Sequence, residues 1–79
     1  MKVDLKFMKS VFKKSLDIHN YKLNKDSEFE EVPHWDSLGH MKIIAEIESR
    51  LNVEFDIDEI VGKDTVEKLI NMTNKKSKK

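Results

Sequence analysis

Seventy-nine residues are enough for one small domain and exclude a chain that combines a large cleft with a dinucleotide-binding fold. Hydrophobic residues make up 38% and charged residues another 38%; a chain this short buries roughly 60% of its unfolded surface, so its core is marginal. Fifteen basic residues balance fifteen acidic ones, and a formal net charge of zero argues against a dedicated nucleic-acid binder.

The absence of cysteine excludes disulfides, zinc–thiolate sites and thiol catalysis, and it fits a reducing, cytoplasmic setting. Neither a signal peptide nor a transmembrane helix is expected, because no apolar stretch reaches the length either needs. The zero net charge is a sum of unlike parts. Residues 1–25 carry +5, residues 26–67 carry −10 and residues 68–79 carry +5. An acidic middle thus lies between basic ends, which bears on association rather than on fold.

In chain order, Leu5, Met8, Val11, Phe12 and Leu16 recur at three- and four-residue spacing and predict an amphipathic helix over 3–16. Residues 17–35 lack that period. Asn20, Asn24, Asp26, Ser27 and Pro33 break it, while Ile18, Tyr21, Leu23, Phe29, Val32 and Trp35 supply apolar anchors for a long loop. A connection of that length needs a reason, and closing the core across the helix ends is one. A second helix begins at Asp36 or Ser37 and runs to Leu51. Residues 56–62 predict a short helix stopped by Gly62. Asp64, with Glu67 three residues on, reads as a capping-box start for a last helix that continues through Val66, Leu69, Ile70 and Met72. The four phenylalanines, 7, 12, 29 and 55, read as core. The fold class is all-α: a four-helix bundle in one domain over 1–74, with a flexible basic tail over 75–79.

The second helix carries more apolar surface than one buried face requires. At about 100° per residue from Ser37, Ile43, Ile44, Ile47 and Leu51 form one stripe between roughly 240° and 340°. Leu38, Met41 and Ala45 form a second between roughly 40° and 100°. Either a small bundle covers both stripes, or the second is partly exposed and meets a partner or ligand. An Asp-Ser pair at a helix start most simply caps free backbone N–H groups. The same N–H groups and the helix dipole also favour anions, so Ser37 is well placed to carry a phosphate ester.

The run Trp35-Asp36-Ser37-Leu38-Gly39-His40-Met41, opening a helix after a long loop, resembles the acyl carrier protein family. The resemblance extends over nearly the whole chain. It includes the stretch from Glu46 to Phe55 at the end of the second helix, and Asp58-Glu59-Ile60 followed by Asp64-Thr65-Val66. It implies a right-handed, mostly antiparallel four-helix bundle. It implies 4′-phosphopantetheine esterified to Ser37 by a separate phosphopantetheinyl transferase that takes it from coenzyme A. The protein would then be no enzyme but a carrier, holding acyl or aminoacyl groups as thioesters and delivering them to acyl-activating or acyl-transferring enzymes of a biosynthetic pathway. Asp36 carries over as the flanking acid, for capping and transferase recognition. Leu38 and Met41 carry over as apolar partner contacts, with Lys42, Ala45 and Glu48 on the recognition helix.

Departures from the family pattern point to a specialised, stand-alone carrier. Gly39 stands where an acid is common, Lys42 and Arg50 stand where carboxylates are common, and Pro33-His34-Trp35 replaces a smaller approach to the serine. These departures leave an acidic region with a softened face at Gly39, Lys42 and Arg50. Trp35 is read as pinning the loop to the bundle.

The alternative to a carrier is an unmodified helical adaptor in which Ser37 only caps and the second stripe binds another protein. Of His19, His34 and His40, no pair has metal-ligand spacing on one helix face, so no metal site is expected. His34 and Ser37 lack the third, orienting group that a nucleophile–base pair needs. His40 is read as a boundary residue. A monomer without nucleic-acid binding or membrane insertion is expected.

Overall fold

A computed structural model describes residues 3–18 and 21–77. Four helices follow in order: α1 (Leu5–Leu16), α2 (Ser37–Leu51), α3 (Ile57–Ile60) and α4 (Val66–Ser77). The described residues form no strand, only one isolated antiparallel bridge between Glu28 and Thr65. The all-α class, the short third helix and the long first loop agree with the expectation from sequence.

Side chains set where the helices begin. The Asp4 carboxylate accepts from the Phe7 N–H at 3.0 Å, and Asp36 accepts from the Gly39 N–H at 2.8 Å. At α3, Glu59 reaches back to accept from the Asp56 N–H at 2.7 Å. The cap of α4 is Thr65, whose hydroxyl accepts from the Lys68 N–H at 3.2 Å. This corrects the reading of Asp64 as the cap. Asp64 is committed elsewhere: its carboxylate pairs with Lys68 at 2.9 Å and its carbonyl accepts from the Phe29 N–H at 2.8 Å. Asp17 (φ 54°) and Asn52 (φ 55°) close α1 and α2 in the left-handed conformation that short polar residues reach at least cost. Gly62 lies two residues past α3 at φ 80° with open space around it, so conformation rather than room explains the glycine.

The long first loop closes α4. A helix leaves its first N–H groups without intrahelical partners. Here the Val66 N–H donates to the Ser27 carbonyl at 3.1 Å and the Glu67 N–H to the Lys25 carbonyl at 3.0 Å. Leu23, Val32 and Trp35 anchor the loop in the core. Tyr21, expected to be an anchor, is instead exposed.

α1 packs against both α2 and α4. The core joins Met8, Val11, Phe12 and Leu16 of α1 to Ile43, Ile44 and Ile47 of α2, Ile60 of α3, and Val66, Leu69, Ile70 and Met72 of α4. Of the phenylalanines only Phe12 is fully buried. Phe7, Phe29 and Phe55 are half-buried at the rim of the core, which corrects the reading of all four as interior.

Two polar ties hold the helices in register. Asn74 on α4 behaves as a peptide group would: its Oδ1 accepts from the Val3 N–H at 2.6 Å and its Nδ2 donates to the Val3 carbonyl at 2.8 Å. Between α1 and α2, Glu46 pairs with Arg50 at 2.7 Å and with Lys14 at 3.3 Å. Arg50 also donates to the Ser10 hydroxyl at 2.9 Å and lies over the Phe7 ring at 5.7 Å. The Arg50 hydrogen bond, helped by Lys14, holds the Glu46 carboxyl below its ordinary value of 4.5 against the opposing effect of burial.

α4 also overturns part of the expected tail. Lys75 and Lys76 are helical, and Lys76 pairs with Glu59 of α3 at 2.9 Å. Helix propagation costs lysine little, and the cations sit at the negative end of the dipole. Lys78 and Lys79 lie outside the described residues.

Asn74→Ala leaves the Val3 N–H and carbonyl without their partners and should cost about 1–3 kcal/mol in urea unfolding. An unchanged midpoint would mean that water replaces the tie fully. Glu46 makes a pH prediction. A carboxyl with a lowered folded pKa stabilises above its unfolded pKa, and that contribution is lost as pH falls through the folded value. The stability gap between wild type and Glu46→Gln should therefore be widest near neutrality and close progressively below about pH 4.5. A gap that stays constant from pH 7 to pH 3 would remove the charge from the explanation.

Candidate functional site

The chain reaches α2 through Pro33-His34-Trp35-Asp36. Trp35 is buried, with its ring edge-on to Phe12 (4.8 Å between centroids, 86°) and tilted against Phe29 (5.6 Å, 56°). A buried indole N–H needs an acceptor. It donates to His40 Nδ1 at 3.0 Å. Indole only donates, so Nδ1 is the unprotonated nitrogen and the ring hydrogen sits on Nε2. Nε2 lies 3.2 Å from the Ile60 carbonyl, to which it therefore donates. The expected boundary residue His40 thus links the first loop, the first turn of α2 and the end of α3. Sequence spacing held no signal for this role, because the three partners are brought together only by the fold.

Asp36 caps α2, and Ser37 is the first helical residue. The His40 N–H donates to the Asp36 carbonyl at 2.7 Å and closes the first turn. Ser37 is exposed, and its hydroxyl makes no hydrogen bond to any described residue. Capping is therefore the work of Asp36, and the serine is left free. A phosphate ester on Ser37 would stand at a helix N-terminus, where backbone donors and the dipole favour an anion. These residues fit a phosphate-linked group. No hydrogen bond joins His34 to Ser37, and His19 lies outside the described residues.

The two stripes of α2 part company. Ile43, Ile44 and Ile47 are buried and Leu51 half-buried, whereas Leu38 is 68% and Met41 48% exposed. Ala45 and Lys42 are exposed beside them. The bundle therefore does not cover the second stripe, which is exposed. α3 and its C-cap add Ile57 and Val61, 67% and 66% exposed, which the sequence reading did not single out. Three apolar residues, 57, 60 and 61, in one short turn are more than so small an element can bury, and that signal could have flagged them.

Two expected members of the recognition face are occupied elsewhere. The Glu48 carboxylate accepts from the Phe55 N–H at 2.9 Å and fixes the chain leaving α2. Arg50 turns toward α1, so the softened face does not extend to it. Lys42 remains on that face and has no ion pair with any described residue.

Gly39 has a steric cause. A Cβ there would collide with the His34 carbonyl oxygen and come within 2.8 Å of Leu16 Cδ2. His34 itself adopts φ 67°, a left-handed conformation uncommon outside glycine. The Pro33-His34-Trp35 approach therefore brings loop backbone onto the helix at position 39, where the sequence resemblance leads to the expectation of an acid. Gly39→Asp should lower stability by about 1–3 kcal/mol through overpacking against the His34 backbone and Leu16. A thermal midpoint within a degree of wild type would show that the loop yields.

Residues 8–73 match the family described as the phosphopantetheine attachment site. Among solved structures, the chain is similar to a solution structure of a holo acyl carrier protein from Geobacter metallireducens. The match has a TM-score of 0.81 and 25% sequence identity, and covers 91% of this chain and 83% of that one. Among curated proteins, none matches this sequence.

Proposed function

The chain belongs to the phosphopantetheine attachment-site family, and on that premise we propose that Ser37 bears the arm and that the loaded protein serves a dedicated biosynthetic pathway. It is a phosphopantetheine-bearing carrier and not an enzyme. The observation that carries the assignment to Ser37 is the division of labour at the start of α2: Asp36 makes the cap, and the adjacent serine hydroxyl stays exposed and without a partner.

When bound, the arm supplies the thiol that this cysteine-free chain lacks, on which an acyl or aminoacyl group is held as a thioester. The residues of the chain hold and present. Asp36 fixes the first turn and so the direction of the Ser37 Cα–Cβ bond. The Trp35–His40–Ile60 link keeps the end of α3 against that turn. Leu38, Met41 and Ala45 offer an apolar strip to a phosphopantetheinyl transferase and then to acyl-handling enzymes. The gain is one of effective concentration, because a tethered group reaches successive sites without free diffusion. Among the described residues no helix is long and apolar enough to cross a membrane.

Incubation with coenzyme A and a broad-specificity phosphopantetheinyl transferase should raise the intact mass by one phosphopantetheine in wild type and by nothing in Ser37→Ala. An increment that survives in folded Ser37→Ala would move the attachment to another residue. A folded wild type that gains no mass with any transferase tried would remove the assignment altogether.

A further inference from the structure

The exposed strip of α2 bears a charge of the sign opposite to its surroundings. We propose that the transferase that modifies Ser37 places a carboxylate opposite Lys42, inside the apolar recess that receives Leu38 and Met41. The inference rests on the assignment of Ser37 above and deepens it by naming the chemistry of the partner's surface.

Leu38, Met41, Lys42 and Ala45 stand at i, i+3, i+4 and i+7, which places them along one side of the helix. Within that row Lys42 is the single charge. The carboxylates of α2 do not compensate it. Glu46 is held by Lys14 and Arg50 with its side chain only 16% exposed, and Glu48 is engaged by the Phe55 N–H. Nor does position 39 offer an acid, since the His34 carbonyl leaves no room for a Cβ. Lys42 also borders a cleft of about 400 Å³ beside the serine, lined in part by Asp17, His34, Asp36, Leu38 and Gly39. Asp36 is engaged by the Gly39 N–H, and Lys42 forms no ion pair with either of the two carboxylates of the cleft.

An enzyme that reaches the Ser37 hydroxyl must cover the residues next to it. Covering Leu38 and Met41 removes water from the flank of Lys42, and a desolvated ammonium without an acceptor opposes binding. A carboxylate at that point relieves the cost and sets the register of docking. The wider surface of the same enzyme meets a different field, because residues 26–67 carry −10 in total. The partner's docking face is therefore basic at its margin and acidic at the one point that faces Lys42.

The test uses a transferase that modifies the wild-type chain to completion and compares kcat/KM for wild type, Lys42→Met and Lys42→Glu. Matching circular dichroism and thermal midpoints establish that the variants are folded. Lys42→Glu should lower kcat/KM by about tenfold or more at low ionic strength, the scale of a close charge pair of about 1.4 kcal/mol. Lys42→Met should lose less, and the deficit of Lys42→Glu should shrink at 0.5 M NaCl as a screened repulsion does. Reversal of one carboxylate on the transferase's docking face to lysine should restore Lys42→Glu while impairing wild type. Equal or higher kcat/KM for Lys42→Glu overturns the proposal, as does a deficit that neither salt nor any such reversal relieves. Failure of the wild-type chain to gain mass strikes the Ser37 assignment instead and is read separately, from the end-point mass.

Discussion

The indole N–H of Trp35 has one way to be satisfied in the core, and much of the site follows from it. Its acceptor is His40 Nδ1, which leaves the ring hydrogen on Nε2 and directs it to the carbonyl of Ile60. The end of the first loop and the first turn of α2 are thereby joined to Ile60, twenty residues beyond His40. The ring–ring packing of Trp35 on Phe12 and Phe29 gives that meeting point a rigid floor. A short helix such as α3 has little stability of its own, so its position depends on contacts of this kind. The presenting face of the protein is thus set from beneath, by a hydrogen-bonded pair that is itself largely shielded from solvent.

The first loop is the second organising element, and its contribution is made by backbone. Ser27 and Lys25 lend their carbonyls to the free end of α4, and Phe29 returns a donor to Asp64. This explains why twenty connecting residues between α1 and α2 are compatible with a small domain. They complete a helix elsewhere in the chain, and they bring Trp35 and His34 to the start of α2 in a fixed order.

These two observations mark what the amino-acid sequence makes legible. The helices were readable because apolar spacing reports directly on burial: Met8, Phe12 and Leu16 lie where a 3.6-residue period puts them. The family resemblance was readable because the motif around Ser37 lies on consecutive residues. The cap of α4 was misplaced because Asp64 and Thr65 are both good caps by composition, and the choice depends on the Phe29 N–H arriving from the loop. The capping-box spacing occurs at 56–59 as well as at 64–67, and of these two the structure uses the first. Lys42 and Arg50 looked equivalent as departures, yet eight residues of helix rotate them onto different neighbours. Arg50 meets Glu46 on its own helix and Ser10 and Phe7 on α1, whereas Lys42 forms no ion pair with any described residue.

The His34 carbonyl oxygen lies where a Cβ at position 39 would stand, and this has a consequence for how such a protein can change over generations. An acid at position 39 presses on the path of residues 33–35, and a different path relieves that pressure. The two positions are therefore epistatic: the effect of a substitution at 39 depends on the residues that set the course of the loop, and the order in which the changes arise decides how stable the intermediates are.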